Sequence, residues 1–564
     1  MMQTDRVNRL SHGSDARLWL AGSIVILGVV VAFRAAFAGY FMLDDFGMLA
    51  IARFLDGPLD PFFGEHIPGA VYYRPLGMLL WWLSERLFGS TPAAHYALNL
   101  LLHIAVAGAL WRLTTRLCES RWAGFVAAAC FACHPIGLGT TLWLSDRFDL
   151  LALLFTLLGL GFALDFSRSA GWRALAAALC LFGLGLLSKE IALAGFAAAA
   201  ALWMRADEGI GWKVRVRAIA LLLFVLALYL LMRSAALPNH GAGWLSSLSR
   251  QFEQFAQGGS IWLGGWLNYA SFWALLGGWK AAAALVGYAL IAALAIVALF
   301  QPWTSRRQQV VLAGLVLCLS TAVLQWPLLA FQDLRVAEST SVINLVTNSR
   351  YFYTAWAGLL VALAGILTPL CSTNNLSRKL LAVALVALVL PWLLASQHLA
   401  RSYRNATLEQ RAMVEAAVAS IGQLEIPDRS CQIYLLDTDN WMFGWISDEA
   451  IKAVVPDLQP ISRCLIQTEH TPWYHIAVVD RFDVRDLYPL RPIHGADESK
   501  ATQKIGRGRF LFLNLSPGPD LSRMPGARFL SWRNGSFIDI TADVLAGTRI
   551  PGLLCNRSAD ECLP

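Results

Sequence analysis

The stretch "LWLAGSIVILGVVVAFRAAFAGYFMLDD", residues 18–45, decides the fold. Residues 18–40 form an apolar run of the length needed to cross a hydrocarbon core of roughly 30 Å. The run is too long for a signal-peptide core, and the segment from Arg34 to Tyr40 offers no convincing small-residue cleavage site. It reads as a retained membrane span. Two aspartates, Asp44 and Asp45, follow at its end among further apolar residues. Charge beside a membrane edge is costly unless it is used. The pair is therefore either a helix cap or part of a site.

The same kind of run recurs along the chain. Of 564 residues, 57% are hydrophobic and 15% charged, against about a quarter charged in a soluble domain. The 22 tryptophans suit two membrane–water interfaces. The net charge of +7 is modest and carries more meaning by location than as a nucleic-acid signal. Eleven spans are predicted, at about 18–40, 95–111, 122–135, 149–166, 172–187, 190–204, 218–236, 282–300, 308–330, 351–370 and 380–396. With the N-terminus inside, the inner segments hold sixteen Lys and Arg and the longer outer loops nine. That bias predicts N-in and C-out. The expected fold is an α-helical polytopic membrane protein with about eleven transmembrane helices in residues 1–400. Residues 401–564 would be an extracytoplasmic soluble domain, α/β or mostly β. The stretch "PLGMLLWWLSERLFG" (75–89) reads as an interfacial helix. So does "SIWLGGWLNYASFWALLGGW" (260–279), whose alternative, a twelfth span, would put the C-terminus inside against the charge count.

Beyond a helical stretch near 405–423, four strand-like runs are separated by Pro, Gly and Asp clusters: "CQIYLLD" (431–437), "YHIAVVD" (474–480), "RFLFLNL" (509–515) and "SFIDIT" (536–541). Cys118, Cys130, Cys133, Cys180, Cys318 and Cys371 lie in or beside apolar runs and read as packing residues. Cys431, Cys464, Cys555 and Cys562 lie in the polar third, where an oxidising compartment permits disulfides.

Polar groups gather on the predicted outer face from distant positions: Asp44 and Asp45; His66, Tyr72, Tyr73 and Arg74; His134, Asp146, Arg147 and Asp149; Lys189 and Glu190; Arg350 and Tyr351. Carboxylates accept a proton from an attacking hydroxyl, and Arg and Lys hold a phosphate. This combination suits group transfer from a lipid-linked phosphate at the membrane boundary. Each group also has a plainer reading. Arg74 would anchor to lipid headgroups before Pro75 starts a helix; His134–Pro135 would end one. Asp146 and Arg147 would form a surface ion pair of little worth. Lys189 and Glu190 would make an interfacial turn, and Arg350 would be an outer-face anchor. His95, Asn99 and His103, at i, i+4 and i+8, suit polar helix packing better than a metal stripe.

"FMLDDFGMLAI", "YYRPLGMLLWWLSERLFGSTPAAHYALNLLLHIAVAGAL", "CHPIGLGTTLWLSDRFDLLALLF", "LLSKE" and "SRYFYTAWAGL" occur in that order. Together they resemble the C-type (GT-C) integral-membrane glycosyltransferases, closest to the O-mannosyltransferase branch with transmembrane and tetratricopeptide repeats. The resemblance covers roughly residues 18–400. It implies a polyprenyl- or dolichyl-phosphate sugar donor and transfer on the outer face; the expected acceptor is a hydroxyl of a protein, glycan or lipid, and one attacking hydroxyl displacing the phosphate in line predicts inversion at the sugar carbon. It places the family's acidic pair on Asp44 and Asp45, one of them the base, and the loop arginine on Arg74. Donor contacts would come from Arg74, His134, Arg147, Asp149, Lys189, Glu190, Arg350 and Tyr351. Membrane lipids are the surrounding partners and no nucleic acid is expected. No cofactor is assigned; a divalent metal is compatible with the chemistry, but no residue pattern indicates one. A bacterial inner membrane with a periplasmic C-terminal domain is the expected setting. Residues 397–564 show no 34-residue helical period, so the acceptor and the sugar stay open. A flippase for a lipid-linked saccharide and a non-catalytic scaffold are the rival readings.

Overall fold

The computed structural model describes residues 2–64, 72–205, 211–237, 262, 278–301, 303–331, 342–373, 375–426, 431–438, 441–454, 461, 464–468, 474–479, 491–492, 502–505, 508–514 and 527–546. The predicted His66, most of the 260–279 segment, Cys555 and Cys562 lie outside them.

The helices in chain order are α1 (Met2–Phe33), α2 (Asp44–Phe54), α3 (Asp60–Phe63), α4 (Pro75–Phe88), α5 (Pro92–Cys118), α6 (Arg121–Cys133), α7 (Gly137–Leu142), α8 (Arg147–Ser169) and α9 (Trp172–Ser188). Then follow α10 (Leu193–Met204), α11 (Trp212–Ala236), α12 (Gly278–Leu299), α13 (Ser305–Phe331), α14 (Val342–Asn348), α15 (Arg350–Thr373), α16 (Asn375–Ile421), α17 (Trp441–Val454) and α18 (Thr541–Leu545). Each of the eleven predicted apolar segments is helical. Among the described residues, seven helices are long and apolar enough to cross a membrane, and four apolar helices are shorter: Arg121–Cys133, Trp172–Ser188, Glu190–Met204 and Leu285–Leu299. The chain is an integral membrane protein. One boundary differs from expectation. The segments at 380–396 and 405–423 are a single helix, α16, because the intervening "QHLARSYR" contains neither Gly nor Pro to break it.

The chain forms two compact units. One comprises Met1–Ala38, Ala93–Ser234 and Pro238–Arg404; the other comprises Gly39–Pro92, Ala235–Leu237 and Asn405–Pro564. In the first, helices meet through small residues, as membrane packing favours. A Cβ at Gly314 would lie 2.4 Å from the Ala362 nitrogen, and one at Gly358 would lie 2.6 Å from the Cys318 nitrogen. Those two glycines let α13 and α15 touch backbone to backbone. Cys118, Cys130, Cys133, Cys318 and Cys371 are buried free thiols, whereas Cys180 is exposed.

The second unit is α/β. One sheet has the order β2 (Cys464–Thr468), β1 (Cys431–Leu436), β7 (Arg528–Arg533), β8 (Ser536–Asp539). β1 runs parallel to β2 and β7, and β8 is antiparallel to β7. In a second, antiparallel sheet, β6 (Gly508–Asn514) pairs with β3 (Tyr474–Val479), β4 (Arg491–Pro492) and β5 (Thr502–Ile505). All four predicted strands are present. A core of Tyr434, Leu436, Phe529, Ile540 and Val544 fills one face of the first sheet, with the Tyr434 and Phe529 rings stacked at 5.0 Å. Cys431 and Cys464, directly opposite in register, form a disulfide.

Candidate functional site

The acidic loop belongs to the second unit. Asp45 is fully buried, and its Oδ2 accepts the Met42 N–H at 3.0 Å, while its own N–H donates to the Met42 carbonyl at 3.1 Å. These two bonds close a tight turn around Leu43, whose φ of 49° lies in the left-handed region. A non-glycine residue held there carries strain of order 1–3 kcal/mol, characteristic of functional loops. Asp44, one residue on, is exposed at the start of α2. The turn is buttressed by Tyr40, whose N–H donates to Thr407 Oγ1 at 3.0 Å and whose ring packs against Phe41 and Phe46. On α4, Glu85 accepts from Arg53 and from Arg86, each at 3.3 Å. Pro75 starts α4, and Arg74 before it lays its guanidinium 4.1 Å from the centre of the Tyr72 ring. The Tyr73 hydroxyl donates to the Phe62 carbonyl at 2.8 Å.

Sequence reasoning missed a residue beside this loop. Helix α17 packs on α2 and brings Glu449 into electrostatic range of Asp44. Burial raises the Glu449 carboxyl well above the usual carboxylate range, reinforced by Asp448 and Asp44. Asp448 and Lys452, both fully buried, pair across one turn of α17 at 2.7 Å. Lys452 also donates to the Cys464 carbonyl at 2.9 Å, and Asp448 accepts the Ile466 N–H at 2.9 Å. This clamp fixes α17 on β2 and so fixes Glu449. The i, i+4 spacing of Asp448 and Lys452 was the available signal.

The membrane unit holds a separate polar cluster. Lys189 follows the last turn of α9, where a cation suits the helix dipole. Its Nζ donates to Asp146 Oδ1 at 3.2 Å and to Asp149 Oδ2. The side chains of Lys189, Asp146 and Asp149 are 12%, 6% and 1% exposed. Arg350 opens α15, donates to the Thr347 carbonyl at 3.0 Å and the Tyr351 hydroxyl at 2.8 Å, and lies 4.1 Å from the Trp143 ring centre. It acts electrostatically on Asp146. Gly139 on α7 makes the approach to this turn feasible: its N–H donates to Ser349 Oγ at 2.9 Å, and a Cβ there would meet the Arg350 nitrogen at 2.7 Å.

One plainer reading differs, and His134 ends a helix as expected. Asp146 and Arg147 are not a surface ion pair. Asp146 turns to Lys189, while Arg147 is fully buried and donates to the Leu144 carbonyl at 3.3 Å, with His95 Nδ1 3.4 Å away. Neighbouring helical residues point apart, and burial sends each to its own partner. His134 ends α6; its Nδ1 accepts the Ile136 N–H at 3.0 Å, and its ring sits 4.6 Å from both Trp356 and Trp392. Asn99 donates to the Thr140 carbonyl, and His103 contacts the Tyr353 hydroxyl at 2.8 Å. Glu190 opens a short turn, Glu190–Ala192, and Tyr351 is buried on α15. No cluster of three metal-ligating side chains occurs among the described residues.

Residues 73–238 match the family model described as dolichyl-phosphate-mannose-protein mannosyltransferase. Protein O-mannosyl-transferase TMTC2 of Mus musculus is 33% identical over 124 residues, 21% of this chain and 15% of that protein. Protein O-mannosyl-transferase Tmtc2 of Drosophila melanogaster is 31% identical over 178 residues, 30% of this chain and 19% of that protein. The chain thus matches less than a fifth of the length of each. Among solved structures, ArnT from Cupriavidus metallidurans, bound to undecaprenyl phosphate, aligns over 88% of this chain and 98% of its own with a TM-score of 0.45 and 13% identity. In its N-terminal half, the chain resembles the O-mannosyltransferase branch of the C-type integral-membrane glycosyltransferases.

Proposed function

We propose that this protein is a membrane glycosyltransferase that moves a sugar from a polyprenyl-phosphate donor to a hydroxyl of an extracytoplasmic protein, glycan or lipid. The observation that carries the reading is the division within the acidic pair: Asp45 is buried and spends its carboxylate on the Met42 N–H, whereas Asp44 is exposed. Asp44 is the base. The acceptor oxygen attacks the anomeric carbon, the bond to the phosphate oxygen breaks, the hydroxyl proton passes to Asp44, and polyprenyl phosphate leaves. One in-line displacement inverts the anomeric centre. Arg350, whose guanidinium donates to the Thr347 carbonyl and the Tyr351 hydroxyl at the start of α15, binds the donor phosphate in this reading. Lys189, held by two carboxylates, positions that end of the cluster. The same reading keeps Arg74, His134, Arg147, Asp149, Glu190 and Tyr351 as donor contacts.

The charge bias supports an N-terminus inside and a C-terminal domain outside, as in a bacterial inner membrane. Mannose, carried in the name of the matching family, is the first sugar to test. The test incubates detergent-solubilised full-length protein with polyprenyl-phosphate mannose and hydroxyl acceptors, and reads the product's anomeric configuration by NMR. Transfer with inversion is expected. Turnover without a membrane barrier separates transfer from transport, and loss of no activity in Asp44→Asn would sink the mechanism.

A further inference from the structure

The polar cluster of the membrane unit contains two buried atoms that the proposed transfer does not use. Trp143 precedes the short turn Leu144–Asp146, and the Asp146 N–H donates to the Trp143 carbonyl at 3.0 Å. In so tight a turn, side chains three positions apart stand on the same side. Trp143 is 9% exposed, and its indole Nε1–H is buried with no hydrogen-bond partner among the described residues. Asp146 gives its Oδ1 to Lys189, and its Oδ2 is likewise buried without a hydrogen-bond partner among them. The neighbouring carboxylate, Asp149, is an acceptor held by the same lysine and supplies no donor when ionised.

One cation joins the two. The Arg350 guanidinium lies 4.1 Å from the centre of the Trp143 ring and 4.4 Å from that of Tyr351, and it acts electrostatically on Asp146. Stacking on aromatic faces fixes the plane of a guanidinium. A buried polar group without a partner is costly, and native proteins leave few. Here one is a donor and the other an acceptor. A hydroxyl satisfies both at once: its oxygen accepts from the indole and its proton goes to the carboxylate. A phosphate oxygen would serve the indole alone, and a cation the carboxylate alone.

We propose that Trp143 and Asp146 form a sugar subsite for the donor and bind the hydroxyl on the carbon next to the anomeric phosphate. The inference rests on Arg350 holding that phosphate. Because the same guanidinium stacks on Trp143 and acts on Asp146, the hydroxyl these residues meet is the one nearest the phosphate, the 2-hydroxyl. The contact selects substrate as well as binding it. A site built to hydrogen-bond a hydroxyl rejects the analogue lacking it, since its buried polar groups are then left unpaired.

Initial rates of the detergent-solubilised full chain with polyprenyl-phosphate mannose and with its 2-deoxy counterpart test this. Wild type should favour the hydroxylated donor in kcat/KM by on the order of 10²-fold or more. Trp143→Phe keeps an aromatic face for Arg350 but has no N–H, so that preference should shrink by about tenfold, the worth of one hydrogen bond. A merely structural role for Trp143 would lower both donors alike and leave the preference intact. Arg350→Ala should raise KM for both donors together. Equal kcat/KM for the two donors in wild type, as a site filled only by water would give, overturns the proposal, and so does an unchanged preference in Trp143→Phe. Either result beside a raised KM in Arg350→Ala refutes the sugar subsite alone. An unchanged KM for both donors in Arg350→Ala would overturn the phosphate placement and the subsite with it.

Discussion

Replacing the two aspartates of the acidic loop one at a time should separate their roles. Asp45→Ala removes the acceptor from the Met42 N–H, which is fully buried. A buried donor left without a partner costs about 1–3 kcal/mol, and the Leu43 turn it closes would relax with it. Asp45→Asn keeps an acceptor oxygen in the same place and should recover most of that loss. Asp44→Asn changes an exposed side chain and removes one favourable charge from the first turn of α2, worth ~0.3–1 kcal/mol. Its melting temperature should stay near wild type. Its transfer rate should not, because a general base contributes roughly 10²–10⁴-fold. The assay pairs scanning fluorimetry in detergent with kcat/KM for sugar transfer. The expected pattern is a folded, inactive Asp44→Asn, a folded, active Asp45→Asn, and a destabilised Asp45→Ala. An inactive, normally melting Asp45→Asn beside an active Asp44→Asn would refute the assignment and make Asp45 the base.

Lys189→Met strands two buried carboxylates, Asp146 and Asp149, and should destabilise the membrane unit by about 3–5 kcal/mol; a double-mutant cycle with Asp149→Asn that shows no coupling would argue against the pairing. Arg350→Ala should raise KM for the polyprenyl-phosphate donor more than it lowers kcat, measured by initial rates against donor concentration; an unchanged donor KM would remove Arg350 from the phosphate site. Cys464→Ser opens a 33-residue loop and should cost ~3–4 kcal/mol by loop-closure entropy, read as a fall in Tm that reductant reproduces in wild type but not in the variant. Glu449 binds its proton more tightly folded than unfolded, because burial raises it above the usual carboxylate value. Stability of its unit should therefore fall as pH rises from the carboxylate range through the raised value, and Glu449→Gln should flatten that slope; an identical slope in the variant would show that another group controls it.

The membrane helices were legible because spanning a bilayer demands long apolar runs, and residues such as 149–166 and 351–370 carry little else. The strands "CLIQT" and "RFLSWR" escaped notice because burial on both faces removes the alternation that marks a half-buried strand: β2 is buried at every position and β7 at its three central ones. Helix α17, "WMFGWISDEAIKAV", sits in a segment read as strands and turns, and its i, i+4 Asp–Lys pair was its one local mark. At the site, the residue types were legible and the partners were not. Arg147 adjoins Asp146 in sequence, yet each bonds elsewhere, and Lys189 meets carboxylates more than forty positions back or exactly that far. Pairing is set by which helix faces meet, which spacing along one chain does not encode.

Two acidic doublets meet at the loop, Asp44–Asp45 and Asp448–Glu449, and they divide in the same way. Successive helical residues diverge by about 100°, so a doublet on a packed helix sends one carboxylate inward and the other around the side. Asp45 goes to the Met42 N–H and Asp448 to Lys452 and the Ile466 N–H. The remaining members, Asp44 and Glu449, are then left in range of each other. Two negative charges held there would repel. Burial of Glu449 relieves this by favouring its protonated form. The clamp of α17 on β2 therefore holds Glu449 within range of the proposed base.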